Sequence, residues 1–193
     1  MLARMKKGRG RSGAWWRRAQ RLRTDDRGHA LLETALLFTF LPFLFLGVSE
    51  LSEADMVTRR LDEAAGKSAD LVARADSVTT ADLDALKDNL MNELMRPYPT
   101  APFVLTLTSI VTDQNGNSTV RWSHARGGSG APRAVGSSVT LPAGLAQPST
   151  SIIMAESSSL FASTLGTMIV GVRTMRGAAY SAPRRGGQVV MLP

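Results

Sequence analysis

The sequence predicts an α+β fold: a long N-terminal helix, a second helix and a small antiparallel β-sheet. Three observations carry this reading. An apolar run over 30–48 is followed, without a break, by apolar or small residues at alternating steps of three and four, the helical period. From Phe103 the period changes to two, as in a half-buried strand. Between two such runs, Gln114, Asn115, Gly116 and Asn117 have the composition of a hairpin turn.

The distribution of charge decides how the N-terminus is read. The 193 residues carry a formal charge of +7, which taken alone suggests a nucleic-acid partner. Residues 1–28 hold ten basic residues against Asp25 and Asp26, a net of +8; the remainder holds 13 basic and 14 acidic residues, a net of −1. All the excess charge is therefore in a leader that an apolar span follows at once. A basic flank before a span orients it with the N-terminus in the cytoplasm. No nucleic-acid partner is expected. The chain has no Cys and two His, His29 and His124. That removes disulfides, thiol catalysis and Cys-based metal sites, and leaves little material for a His-rich metal centre.

The first element is the span. Fourteen of the 19 residues over 30–48 are Ala, Val, Leu or Phe, and four of the six Phe lie there. As a helix it measures roughly 28 Å, close to the thickness of the hydrocarbon layer. A buried core helix is the alternative, but the run is apolar on all sides and basic on one flank only. A cleavable secretory signal is the other alternative, but Val48, Ser49 and Glu50 offer no small-x-small cleavage site. Glu33 stands inside the apolar run, where a carboxylate is costly and by default functional. Pro42, at mid-span, removes a backbone donor and favours a kink.

The second half of the long helix covers 51–75. Its stripe is Leu51, Ala54, Thr58, Leu61, Ala65, Ser68 and Val72. Asp55 with Arg59, Glu63 with Lys67 and Asp70 with Arg74 are i,i+4 pairs with the acid leading, the favourable order. With the span this predicts one helix of about 47 residues and roughly 70 Å. Thr79 or Thr80 then caps a helix over 81–95, with Leu83, Leu86, Leu90 and Leu94 on one face and Pro97, Pro99 and Pro102 ending it.

Strands are expected over 103–111 and 118–123, the latter with Val120 and Trp122 on one face. Asp113, Asn115 and Asn117 have the one-three-five spacing of a calcium loop. However, Ser118 stands where that loop needs Gly and no Glu follows at its twelfth position, so a turn is the reading. Residues 125–138 read as a flexible loop. Gly127, Gly128, Ser129 and Gly130 lack the Lys-Ser/Thr of a phosphate loop. Further strands are expected over 138–141, 151–156 and 166–173. Ser157, Ser158 and Ser159 lack a nearby His or a nucleophile elbow, so no catalytic residue is assigned. Residues 176–193 read as a mobile tail.

Arg27, Gly28, His29, Ala30, Leu31, Leu32 and Glu33, after a basic leader and opening an apolar helix, resemble a class III signal peptide. In that pattern a prepilin peptidase cuts after Gly, and Glu is the fifth mature residue. The continuation Glu33, Thr34, Ala35, Leu36, Leu37 and then Gly47, Val48, Ser49, Glu50 resembles the TadE/TadF-like minor pseudopilins of tight-adherence (Flp-type, type IVb-like) pili. The likeness covers 27–50, with a weaker echo around 169–176. Thr34 stands where the family usually has Phe or Tyr. Thr39 stands where many members have Pro, and Pro42 supplies the kink instead.

The resemblance implies a pilin-like fold and three segments: a basic cytoplasmic leader, 1–28; a transmembrane helix, 29–48; and an exported α+β domain, 49–193. It implies cleavage between Gly28 and His29, and an assembly role for Glu33, whose carboxylate would meet the new His29 amine of a neighbouring subunit. The implied partners are the prepilin peptidase, other pseudopilins, the major pilin and the inner-membrane pilus assembly platform. The implied location is the bacterial inner membrane, single-pass, with the N-terminus cytoplasmic and the C-terminus periplasmic; whether the protein enters an extracellular pilus or stays in the membrane is left open by the sequence. No enzymatic activity, cofactor or metal is expected. The alternative is an uncleaved single-pass protein whose periplasmic domain binds a ligand or regulates an envelope complex.

Overall fold

The computed structural model of the chain describes residues 28–94, 102–162, 171–185 and 187–193. The fold is α+β, with a long N-terminal helix, a second helix and a small antiparallel sheet. The chain divides into two compact units, Met1–Val48 and Ser49–Pro193. The described part of the first unit is helical throughout. Helix α1, His29–Ala73, supplies it and continues into the second unit. The helix is unbroken through Pro42.

In the second unit α1 buries Val57, Leu61, Ala64, Ala65, Ser68, Ala69, Val72 and Ala73. The predicted stripe is thus correct from Leu61 onward and wrong at its start: Leu51 is 72% exposed, and Val57 is the first buried residue. All three predicted i,i+4 pairs form. Arg59 Nε lies 2.8 Å from Asp55 Oδ2 and Lys67 Nζ 3.0 Å from Glu63 Oε1; Arg74 pairs with Asp70. Lys67 also reaches Glu93, 2.8 Å away on the next helix. The two carboxylates hold its ammonium pKa above the ordinary value, the Glu93 hydrogen bond contributing most.

Strand β1, Ser77–Thr79, leads directly into helix α2, Thr80–Leu94. Thr79 is the cap: its Oγ1 accepts from the Asp82 backbone N–H at 3.2 Å, while its own N–H donates back to Asp82 Oδ2 at 2.9 Å. This reciprocal pair satisfies donors that a helix start would leave orphaned. The Thr79 hydroxyl and then its N–H hold the Asp82 carboxyl below the usual range. Leu83 and Leu90 are buried, with Leu86 and Leu94 half-buried, as the stripe predicts. At the far end Arg60 Nη1 donates to Leu94 O at 3.2 Å. Pro97 and Pro99 lie outside the described residues.

The main sheet comprises β2, Phe103–Thr112; β3, Ser118–Arg126; β4, Ser151–Phe161; and β5, Arg173–Ser181. Its order is β3-β2-β4-β5, antiparallel throughout, with a bulge in the β2–β3 ladder at Ser109/Ile110. Phe103, Leu105 and Leu107 join Ile153, Ala155 and Trp122 in the core with Leu61, Leu83 and Leu90. Each fully buried Leu or Ile contributes about 1.5–3 kcal/mol.

The turn between β2 and β3 forms around Asp113. Its Oδ1 accepts from the N–H of Asn115 and of Asn117, each at 2.8 Å, and Oδ2 accepts from Asn117 Nδ2 at 3.0 Å. Those donors occupy the carboxylate that a calcium ion would need, and they hold its pKa below the usual range, Asn117 contributing most. Gly116, with φ 83°, supplies the left-handed step.

Four expectations are corrected. The strand expected over 138–141 is a single bridge, Thr119 with Ser138, and Pro142 follows at once. The strand expected to end at Glu156 continues to Phe161, pairing there with β2 and β5, and its small residue Ser157 meets α1 at Leu61 O. The strand expected over 166–173 begins at Arg173 instead; 166–170 lie outside the described residues. The tail read as mobile is structured. Residues 176–181 belong to β5, and β6, Val190–Leu192, pairs in parallel with β1. Val189, 1% exposed, accepts the Trp122 indole N–H at 2.8 Å. Arg184 N–H caps the end of α1 at Ala73 O, 2.8 Å, and its guanidinium reaches Asp70 at 2.5 Å.

Candidate functional site

The residues singled out in the sequence, Gly28, His29, Glu33 and Pro42, all fall on the first unit. Every residue over 28–48 is exposed, including Phe38 at 72%, Phe43 at 73% and Phe45 at 72%. Twelve large apolar side chains from Leu31 to Val48 face outward. At about 1.5–3 kcal/mol each, leaving them in water costs on the order of 20–35 kcal/mol. That exceeds the net stability of an ordinary domain, roughly 5–15 kcal/mol. The helix is long and apolar enough to cross a membrane.

Two of its polar side chains bond within the helix. Thr34 Oγ1 donates to Ala30 O at 2.6 Å, and Thr39 Oγ1 to Ala35 O at 2.8 Å. Both hydroxyls are thereby satisfied inside the helix. Pro42 has no N–H, so Phe38 O lacks its usual donor four residues on. Glu33 has no such internal solution. It is exposed, and no described residue forms an ion pair with it. His29 lies four residues before it, on the same face.

Gly28 immediately precedes α1. A Cβ built there meets nothing within 4 Å, and the residue does not need a left-handed backbone. Packing among the described residues therefore gives no reason for glycine at this position. Gly177 and Gly127, by contrast, are imposed by close approaches: a Cβ at Gly177 would lie 2.7 Å from Asp62 N, and one at Gly127 would lie 2.2 Å from Phe103 O.

No family model, curated protein or solved structure matches the chain.

The second unit holds polar groupings that the sequence did not reveal. Arg133 clasps Glu156 with two nitrogens, Nη2–Oε1 at 2.8 Å and Nε–Oε2 at 3.2 Å. His124 Nε2 lies 2.8 Å from Asp84 Oδ1, and Arg126 Nη1 lies 2.8 Å from Asp84 Oδ2, joining β3 to α2. Beside Glu156 is an open depression of about 520 Å³, lined by Thr106, Ser129, Ser158, Thr174 and Arg176 among others. The partners in each grouping are 23 to 42 positions apart, beyond the reach of any spacing rule. Ser157, considered above as a nucleophile, donates its hydroxyl to Leu61 O at 2.7 Å in a buried contact. Among the described residues, no three His, Cys, Asp or Glu side chains converge as a metal site would require.

Proposed function

We propose that this chain is a minor pseudopilin, a structural and assembly subunit of a tight-adherence pilus or a related type IV-like secretion machine. It is inserted in the bacterial inner membrane by 29–48, with the leader in the cytoplasm and Ser49–Pro193 in the periplasm. A prepilin peptidase removes 1–28, and the mature chain begins at His29. The reading is supported chiefly by one observation: a helix whose first twenty residues are all exposed and mostly apolar, yet carry a carboxylate at the fifth position after a glycine that packing among the described residues does not require. In this role the protein makes and breaks no bond of its own. The His29 amine of one subunit pairs with Glu33 of the next, offsetting the cost of burying either charge alone. Pro42 bends the helix within the bundle.

Intact mass and N-terminal sequencing of the membrane-extracted protein test the proposal. The expected chain starts at His29 in cells with active peptidase. A chain that retains 1–28 there would overturn it. That result would favour the second reading, an uncleaved single-pass protein using the polar depression beside Glu156 to bind a ligand.

A further inference from the structure

The four-stranded sheet has two edges, and the chain treats them differently. On the β3 side, residues 136–139 close the edge at Ser118–Val120. Val120 N–H donates to Ser137 O at 3.0 Å, Gly136 N–H to Val120 O at 2.8 Å and Val139 N–H to Ser118 O at 2.9 Å. On the β5 side, among the described residues, no backbone hydrogen bond reaches Arg173–Ser181 except from β4. Alternate residues of an edge strand aim their N–H and C=O away from the sheet, as a template for another strand. Bulges, prolines and lysines blunt such edges. β5 has none of these. It pairs with β4 from Phe161–Arg173 to Ile153–Ser181 without a register shift, and it contains no Pro or Lys.

The two faces of β5 differ. Met175 Sδ lies 4.0 Å from Thr58 Oγ1, and a Cβ at Gly177 would lie 2.7 Å from Asp62 N, so both positions face α1. Thr174, Arg176 and Ala178 alternate with them and are exposed on the opposite face. There they line the depression of about 520 Å³, together with Ser158 and Thr106 from the strands behind. Three charged side chains contribute to its walls: Asp62, Glu156 and Arg176. Glu156 is held by Arg133 at 2.8 Å, and Asp62 comes from α1, whose backbone lies against the other face of Gly177. Arg176 has no ion-pair partner among the described residues. Strand addition takes its affinity from main-chain hydrogen bonds and its specificity from pockets that receive alternate side chains. A free guanidinium, with Ser158 as its cross-strand neighbour and Thr174 beside it, selects a carboxylate. The only charges on β5, Arg173 and Arg176, are both positive. A second copy's β5 brings the same cations, whereas an acidic strand complements them.

We infer that β5 is a docking edge for an extended, acidic segment of another protein, which adds to the sheet as a further strand and places a carboxylate in the depression against Arg176. The inference concerns the second unit alone and holds whether or not 1–28 is removed.

Peptide titration of the full chain in detergent micelles tests the inference, with empty micelles as the blank. The probe is a fluorescent, end-blocked nonapeptide of alternating threonine and valine with one central glutamate. A second peptide has lysine in place of the glutamate, and a third keeps the glutamate but is N-methylated throughout, which removes its main-chain donors. By fluorescence anisotropy the glutamate peptide should bind saturably and several-fold more tightly than the lysine peptide, and the N-methylated peptide should not bind. Hydrogen exchange should slow several-fold at alternate amides of 173–181 when the glutamate peptide is bound, and stay unchanged over 118–126. Arg176→Gln, at an exposed position, should bring the glutamate and lysine peptides to equal affinity while the N-methylated peptide still fails to bind. No saturable binding of either unmethylated peptide, binding of the N-methylated one, or protection elsewhere than on β5 overturns strand addition. Equal affinity of the glutamate and lysine peptides for the native chain, or a preference that survives Arg176→Gln, overturns the acidic assignment. Displacement of the probe by N-acetylglutamate amide at the peptide's own concentration would make the depression a small-molecule site and overturn the strand.

Discussion

Gly177→Ala isolates the contact that seats α1 on the sheet. A Cβ at this position would lie 2.7 Å from Asp62 N and from Leu61 C and 2.8 Å from Asp62 Oδ1, where ordinary contact begins at 3.4 Å. Two of the three obstructing atoms are helix backbone, so α1 must withdraw by about 0.7 Å. Overpacking of this kind costs about 1–3 kcal/mol. The withdrawal also stretches the Ser157 hydrogen bond to Leu61 O, 2.7 Å in the native packing, for a further loss of about 1 kcal/mol. The expected destabilisation is about 2–4 kcal/mol. At about 2–4 °C per kcal/mol for a chain of this size, Tm falls by roughly 4–16 °C. Thermal unfolding by circular dichroism in detergent micelles reads it. Gly177 has no left-handed backbone to lose, so without the clash the same substitution would stabilise by about 0.4–1 kcal/mol through the unfolded chain. The two outcomes differ in sign. An unchanged or raised Tm refutes the close approach, while Ser157→Ala, which removes only the hydrogen bond, should cost about 1 kcal/mol.

Three further outcomes are expected. On the proposed reading, Glu33→Ala and Glu33→Gln should insert and be cut normally, since losing a charge from the span favours insertion by up to roughly 2–3 kcal/mol at mid-span and less near its end, where Glu33 stands; both should fail to co-purify with pseudopilins and fail to support piliation, and wild-type pili from either would remove the assembly role. Thr79→Ala should lower stability by about 1 kcal/mol through loss of the α2 cap, measured by denaturant midpoint; Thr79→Ser should restore most of it. Acid should destabilise the second unit: Asp113, Asp82 and Asp70 are held below the usual carboxylate range by Asn117, Thr79 and Arg74 respectively. Their unfolded forms take up protons first, so the stability they add at neutral pH is lost as pH falls from the ordinary carboxylate range through their lower folded values. Asp113→Asn should lose less between neutral pH and strong acid than the native chain, and equal losses would refute the role of the turn carboxylate.

Interactions that close within about five residues were legible in the sequence. The apolar segment with Glu33, the three i,i+4 pairs of α1, the Thr79 cap and the Asp113 turn each depend on side chains and backbone a few positions apart. Helical period and turn chemistry reach that far. The tertiary structure alone decided what depends on a distant partner. Residues 176–193 carry little apolar periodicity and read as a tail, yet β5 completes the sheet on β4 and β6 pairs with β1 across more than a hundred residues. The buried face of α1 starts at Val57 rather than Leu51 because burial depends on where the sheet ends, which no helical period records. Glycine serves opposite purposes at two places that look alike in sequence. At Gly28 nothing crowds the backbone, whereas at Gly177 a helix passes within 2.7 Å of where a Cβ would stand. Backbone hydrogen bonds and close packing are made with whatever the fold brings near, so the sequence determined each segment's shape and the tertiary structure determined what each segment touches.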